Sequence, residues 1–95
     1  DVFKTAKKIL KNDGKLAMVH RTERLIDIIC LMRKYNLEPK RIRFVQPFSN
    51  ANSNLVLIEA SKNGNTGLKI ESNLIVHDKN NNYTEEVVEM FNNKK

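Results

Sequence analysis

His20, Arg21 and Arg24 are the residues whose types and spacing suit recognition of a polyanion. Two guanidiniums three residues apart can each clamp a phosphate, and an imidazole beside them can stack on a base or donate to a phosphate oxygen. The competing reading of His20 is a loop histidine held by a structural hydrogen bond. Lys40, Arg41 and Arg43 form a second basic group, read as a solvated cluster. His77 stands beside Asp78 with no partner at metal-ligand spacing, and no Cys, His, Asp or Glu cluster suggests zinc or calcium. The single cysteine, Cys30, can form neither an internal disulfide nor a thiolate cluster. Between Ile29 and Leu31 it reads as a buried structural thiol, which fits a reducing, cytoplasmic setting. Met18, Met32 and Met90 read as core packing.

The charge is unevenly spread. The 95 residues carry a net +6, but residues 1–47 hold 12 Lys and Arg against 5 Asp and Glu, while residues 48–95 hold 5 against 6. A basic first half suits a polyanionic partner, because each cation that neutralises a phosphate releases a counterion. Ordinary solvated surface charge would give the same count. The chain is 40% hydrophobic and 29% charged, as soluble globular chains are, and its length makes one domain or part of one. No apolar run approaches the roughly 18 residues of a membrane span, and no secretory signal is visible, so no membrane partner is expected. The chain begins at Asp1 inside a helical pattern, as an excised or processed segment does.

The elements that must position these residues follow from periodicity. Val2–Lys11 predicts an amphipathic helix, with Phe3, Ala6 and Leu10 on one face and Lys4, Lys7, Lys8 and Lys11 on the other. Asn12-Asp13-Gly14 stops it, with Gly14 expected in the left-handed conformation. Lys15–Val19 is a short apolar strand without clean alternation, which predicts burial on both faces. Thr22 is a plausible N-cap for a second helix over Glu23–Tyr35, whose stripe is Leu25, Ile28, Ile29 and Met32, widened by Ile26, Cys30 and Leu31. Asn36 and Pro39 close it. Arg41–Gln46 alternates as a strand, residues 47–54 form a turn-rich loop, and Leu55–Ala60 is the most strand-like run. Two short extended stretches (68–70, 74–76), an asparagine-rich turn at 80–82 and a helix over 84–91 complete the chain. Residues 92–95 are expected to fray.

A strand–helix–strand unit makes a parallel pair by right-handed crossover, and a strand that follows without an intervening helix returns antiparallel. The apolar run at 55–60 wants neighbours on both edges. The fold class is therefore α/β, with strands 15–19, 55–60 and 41–46 in that spatial order and the middle one antiparallel. Ligands of open α/β sheets bind beyond the carboxyl ends of the parallel strands. That edge collects His20, Arg21 and Arg24, and also the 46–54 segment with Gln46, Asn50 and Asn52. Lys40 and Arg41 begin their strand and so belong to the opposite end.

This arrangement resembles the final third of the sheet of class I S-adenosylmethionine-dependent methyltransferases, a Rossmann-like fold. The runs Val2-Phe3-Lys4-Thr5-Ala6-Lys7-Lys8-Ile9-Leu10 and Gly14-Lys15-Leu16-Ala17-Met18-Val19-His20-Arg21 resemble a narrower family. So do Glu23-Arg24-Leu25, Leu31-Met32-Arg33-Lys34-Tyr35, Leu37-Glu38-Pro39-Lys40-Arg41 and Asn54-Leu55-Val56-Leu57-Ile58-Glu59-Ala60. Together they look like the C-terminal region of the bacterial tRNA(Val) adenine-N6 methyltransferases. The likeness runs through nearly the whole chain, to Tyr83-Thr84-Glu85-Glu86, and is carried mainly by scaffold segments. Thr22 stands where such relatives often have proline, and so do Ser72 and Asn73.

The resemblance implies a segment of an S-adenosylmethionine-dependent enzyme that methylates an adenine, or a related base, in tRNA. It also implies a Gly-rich loop, an acidic residue for the cofactor ribose and an Asn-Pro-Pro-Tyr type motif, none of which occurs in these 95 residues. The chain alone is therefore expected to be inactive, with no catalytic or cofactor-binding residue assigned. It is also expected to self-associate through the bared edge of strand 15–19, where the missing neighbour would pair. The alternative is a free-standing basic RNA- or DNA-binding module, whose strand 15–19 would be covered from within, by residues 68–76.

Overall fold

Phe3 and Ala6 are both buried on α1 (Val2–Ile9), while Lys4, Lys7 and Lys8 face water. In the computed structural model, which describes residues 2–92, the left-handed residue after this helix is Asp13 (φ 66°), not Gly14. Gly14 is required for room instead. A Cβ there would lie 2.8 Å from the Lys11 carbonyl oxygen, which accepts the Gly14 N–H at 2.8 Å.

β1 (Lys15–Arg21) leads into a single 3-10 turn, Thr22–Arg24, and then α2 (Leu25–Lys34). Thr22 does not cap α2, because its hydroxyl is 2.8 Å from that of Ser53. Ile28 and Met32 are buried and Leu25 and Ile29 half-buried, but Ile26, Leu31 and Cys30 are exposed. The expected widening of the stripe and the buried thiol are thus corrected. α2 meets the sheet along a single narrow face, and its far side has no packing partner among the described residues.

Asn36 turns the chain in the left-handed region (φ 59°) straight into β2 (Leu37–Phe48), which is longer at both ends than its alternation predicts. Pro39 is accommodated beside a register shift between Pro39 and Arg41, since a bulge tolerates a residue with no N–H to donate. β3 (Leu55–Lys62) pairs antiparallel with both β1 and β2: Met18 and Ile42 both align with Ile58. The predicted spatial order and directions are therefore found. β4 (Lys69–Ile70) and β5 (Leu74–His77) pair in parallel with successive parts of β2 at its other edge, and α3 (Glu85–Asn92) follows. Residues 68–76 thus do not cover β1, whose outer edge has no strand partner among the described residues. Of the residues expected to fray, Asn92 ends α3 and 93–95 lie outside the described residues.

Alternation along the strands sorts the core into two. Ile42, Val56, Ile58 and Ala60 face α1 and α2, packing with Phe3, Ala6, Ile28, Met32 and Leu37. On the opposite face α3 covers Val45 and Leu74 through Val87. Leu16 and Met18 join the first cluster, but Ala17 and Val19 point to the other face and are exposed, Val19 by 57%. Burial of β1 on both faces is thus corrected: α3 reaches β2 and β5 and stops short of β1. Met90, expected in the core, is 49% exposed on α3.

Candidate functional site

β1, β2 and β5 run the same way, so their carboxyl ends (Arg21, Phe48, His77) lie on one rim, where antiparallel β3 begins at Leu55. Strands are about 4.8 Å apart, so three steps from β1 to β5 make a rim on the order of 15 Å long. Thr22 ties the β1 end of the rim to the loop before β3. The Thr22 N–H donates to Asn54 O at 3.2 Å, and Ser53 Oγ donates to Leu55 O at 2.9 Å, leaving Thr22 to donate its hydroxyl to Ser53.

His20 and Arg21 stand at the β1 end of this rim and Arg24 closes the 3-10 turn, all exposed. The Arg21 N–H donates to His20 Nδ1 at 2.8 Å, so a neutral ring carries its proton on Nε2, pointing it outward as a donor. Arg21 is 3.5 Å from Glu23 and Arg24 is 3.4 Å from Asp27. Both pairs are open to solvent and worth little, so either arginine can exchange its carboxylate for a phosphate. Gln46 lies beneath the rim: its amide nitrogen donates to Ala51 O at 2.7 Å and its oxygen accepts from Asn73 at 2.9 Å. It shapes the loop that holds the exposed Asn50 and Asn52.

The second basic group is corrected from a solvated cluster to a set of clamps. Lys40 Nζ donates to Asn65 O at 2.7 Å, Arg41 Nη2 lies 2.9 and 3.1 Å from the two Glu71 oxygens, and Arg43 binds Glu86 and Ser72 O. The bond to Glu71, then its charge, raises the Arg41 pKa. Together they hold the tail on β2.

The rim carries one group that sequence reasoning passed over. Phe48 and His77 pack with ring centroids 5.7 Å apart, His77 stacks on Tyr83 at 5.0 Å, and Phe91 meets Tyr83 edge-on at 6.3 Å. Its signal was the aromatic residue closing β2 and the one following the 80–82 turn.

Gly14 precedes β1, Gly64 follows β3 and Gly67 precedes β4, so all three glycines lie at the edge opposite the rim. The described residues hold no group of three potential metal ligands, and no helix among them is long and apolar enough to cross a membrane.

No protein-family model matches the sequence, and no curated protein matches it. In fold, 95% of the chain superposes on a solved structure described as a predicted O-methyltransferase, protein Atu636 from Agrobacterium tumefaciens. The TM-score is 0.85 at 22% identity. This is a methyltransferase-type α/β fold. The match takes in 43% of that chain, so this one spans less than half its length.

Proposed function

We propose that this chain is part of an S-adenosylmethionine-dependent N-methyltransferase that modifies an adenine base in tRNA, in the cytoplasm. The observation that carries the reading is the antiparallel β3 set between parallel β1 and β2. It supports a place in the final third of a class I methyltransferase sheet, and the runs from Val2 to Ala60 support the tRNA family. On this reading the cofactor and the reacting amine are held by sequence outside these 95 residues. The chain contributes the substrate rim: Arg21 and Arg24 hold phosphates, His20 donates from Nε2, and Asn50 and Asn52 reach the RNA from the loop that Gln46 supports.

The test is methylation of unmodified tRNA by the complete protein with labelled S-adenosylmethionine, followed by nucleoside analysis. Label in N6-methyladenosine is the expected result. Label only in protein or small molecules, or none, overturns the reading. The 95 residues alone should give no saturable heat with S-adenosylmethionine at micromolar concentration, and a stoichiometric heat would place the cofactor site here instead.

A further inference from the structure

We infer that Phe48, His77 and Tyr83 form a stacking platform for an unpaired RNA base, with Lys79 holding the adjoining phosphate. The inference rests on the tRNA reading above and names where on the rim the strand is gripped.

These rings are not ordinary core. The apolar cluster beside them, Val45, Leu74 and Val87, is buried, yet Phe48 is 40% exposed and Tyr83 57%. They are also held rigidly. Asp78 Oδ1 accepts from Asn80 N at 2.9 Å and Asn82 N at 3.0 Å, and the Asp78 N–H donates to Asn82 O at 2.8 Å. Thr84 N then returns to Val76 O at 2.9 Å. This closed turn pins Tyr83 in a bridge opposite His77, so a face can be offered to a base without ordering a loop first. A groove of about 490 Å3 opens beside it, lined by Phe48, Ser49, Asn50, His77, Asp78 and Lys79. That is within the size range of small-ligand clefts.

The polar groups around the groove favour RNA over another apolar protein surface. The Asp78 carboxylate is engaged by two backbone N–H groups of its own turn, which lessens its repulsion of a phosphate. Lys79 has no acidic partner among the described residues and projects from the same turn. Ser49 and Asn50 supply hydrogen-bonding groups for a base edge. Aromatic platforms with a nearby cation grip single-stranded nucleic acid with little sequence demand, because every base has a π face. The platform lies on the order of 15 Å from Arg21 along the rim, so the two grip different nucleotides of one strand.

The test is equilibrium binding of tRNA, and of an unstructured oligoribonucleotide carrying 2-aminopurine, to the complete protein and five variants. Tyr83→Leu and Phe48→Leu keep apolar bulk and remove the π face. They should weaken binding on the order of ten-fold and release the 2-aminopurine quench, with the salt slope unchanged. Tyr83→Phe should bind as the parent does, which separates a lost stacking face from a lost fold. Lys79→Ala should lower the salt slope by about one. If both leucine variants bind and quench like the parent while Arg21→Ala with Arg24→Ala weakens binding, the platform is overturned and the tRNA reading stands. If the parent binds neither RNA, the tRNA reading falls with it, and a protein partner is the surviving occupant.

Discussion

Thr22 and Ser53 meet hydroxyl to hydroxyl at 2.8 Å although 31 residues separate them in the chain. With the Thr22 N–H on Asn54 O, this contact ties the exit of β1 to the loop that precedes β3. The basic residues of the rim and its asparagines are thereby held in one frame. Breaking the hydroxyl pair should cost little in global stability and more in rim order. A Thr22→Val, Ser53→Ala double-mutant cycle is expected to give a coupling of about 0.5–1.5 kcal/mol. A coupling near zero in denaturant melts would show that water replaces the bond.

Gly14→Ala should destabilise by about 1–3 kcal/mol, the usual cost of forcing a Cβ into filled space. The new carbon would meet the Lys11 carbonyl oxygen at 2.8 Å and the Leu10 side chain at 3.3 Å. Neither the backbone oxygen nor the half-buried leucine can give way without moving the α1–β1 turn. Asp13→Gly is the informative contrast. It relieves a left-handed non-glycine residue and should be neutral or slightly stabilising. Thermal melts of the two variants shifting in the same direction would contradict this division of labour.

Arg21→Ala with Arg24→Ala should weaken tRNA binding and lower its salt slope by up to about one per lost phosphate contact. The exposed pairs with Glu23 and Asp27 predict that Glu23→Gln or Asp27→Asn changes affinity in the opposite sense, by freeing its arginine. Cofactor affinity of the complete protein should hardly change. Unchanged tRNA affinity and slope in the double-arginine variant would leave both arginines as scaffold.

The strand order was legible because two short patterns constrain each other. A strand–helix–strand unit fixes β1 and β2 as parallel, and the unbroken run Leu55-Val56-Leu57-Ile58 demands a partner on each side. What was not legible depended on what lies over a surface rather than on periodicity. Ile26, Cys30 and Leu31 carry the same apolar chemistry as Ile28 and Met32, and only the narrowness of the α2 contact leaves them exposed. Val19 is apolar and exposed for the same reason, since α3 does not reach it. At the rim, the placement of His20, Arg21 and the 46–54 segment followed from strand direction. The clamping of Arg41 by Glu71 and of Arg43 by Glu86 did not, because those pairs span 30 and 43 residues. The aromatic platform was hidden likewise: Phe48 and Tyr83 meet on His77 only through parallel pairing of β5 with β2.

The 95-residue chain should self-associate through β1. Its inner edge pairs with β3 from Lys15 to Arg21, while its outer edge presents backbone N–H and C=O groups with no strand partner among the described residues. Leu16, Ala17, Met18 and Val19 include neither the proline nor the inward-pointing charge by which sheets block edge pairing. Ala17 and Val19 also expose apolar surface on the face beside that edge. On the order of 100 Å2 of such surface, at about 25 cal/mol per Å2, is worth about 2–3 kcal/mol when covered. A second copy pairing edge to edge satisfies the backbone groups and shelters part of this face at once. Val19→Lys sets a charge on the bare face without touching the α1–α2 core, so it should leave the fold intact and shift the chain toward monomer. Sedimentation across a dilution series, with hydrogen exchange of residues 16–19, measures both halves of the expectation. Those of the amides that face away from β3 should lose protection on dilution in the parent and have little at any concentration in Val19→Lys, while those bonded to β3 stay protected in both. A parent that stays monomeric with the outward-facing amides of residues 16–19 also protected would mean that the edge is covered from within the chain, and the expected association would be wrong.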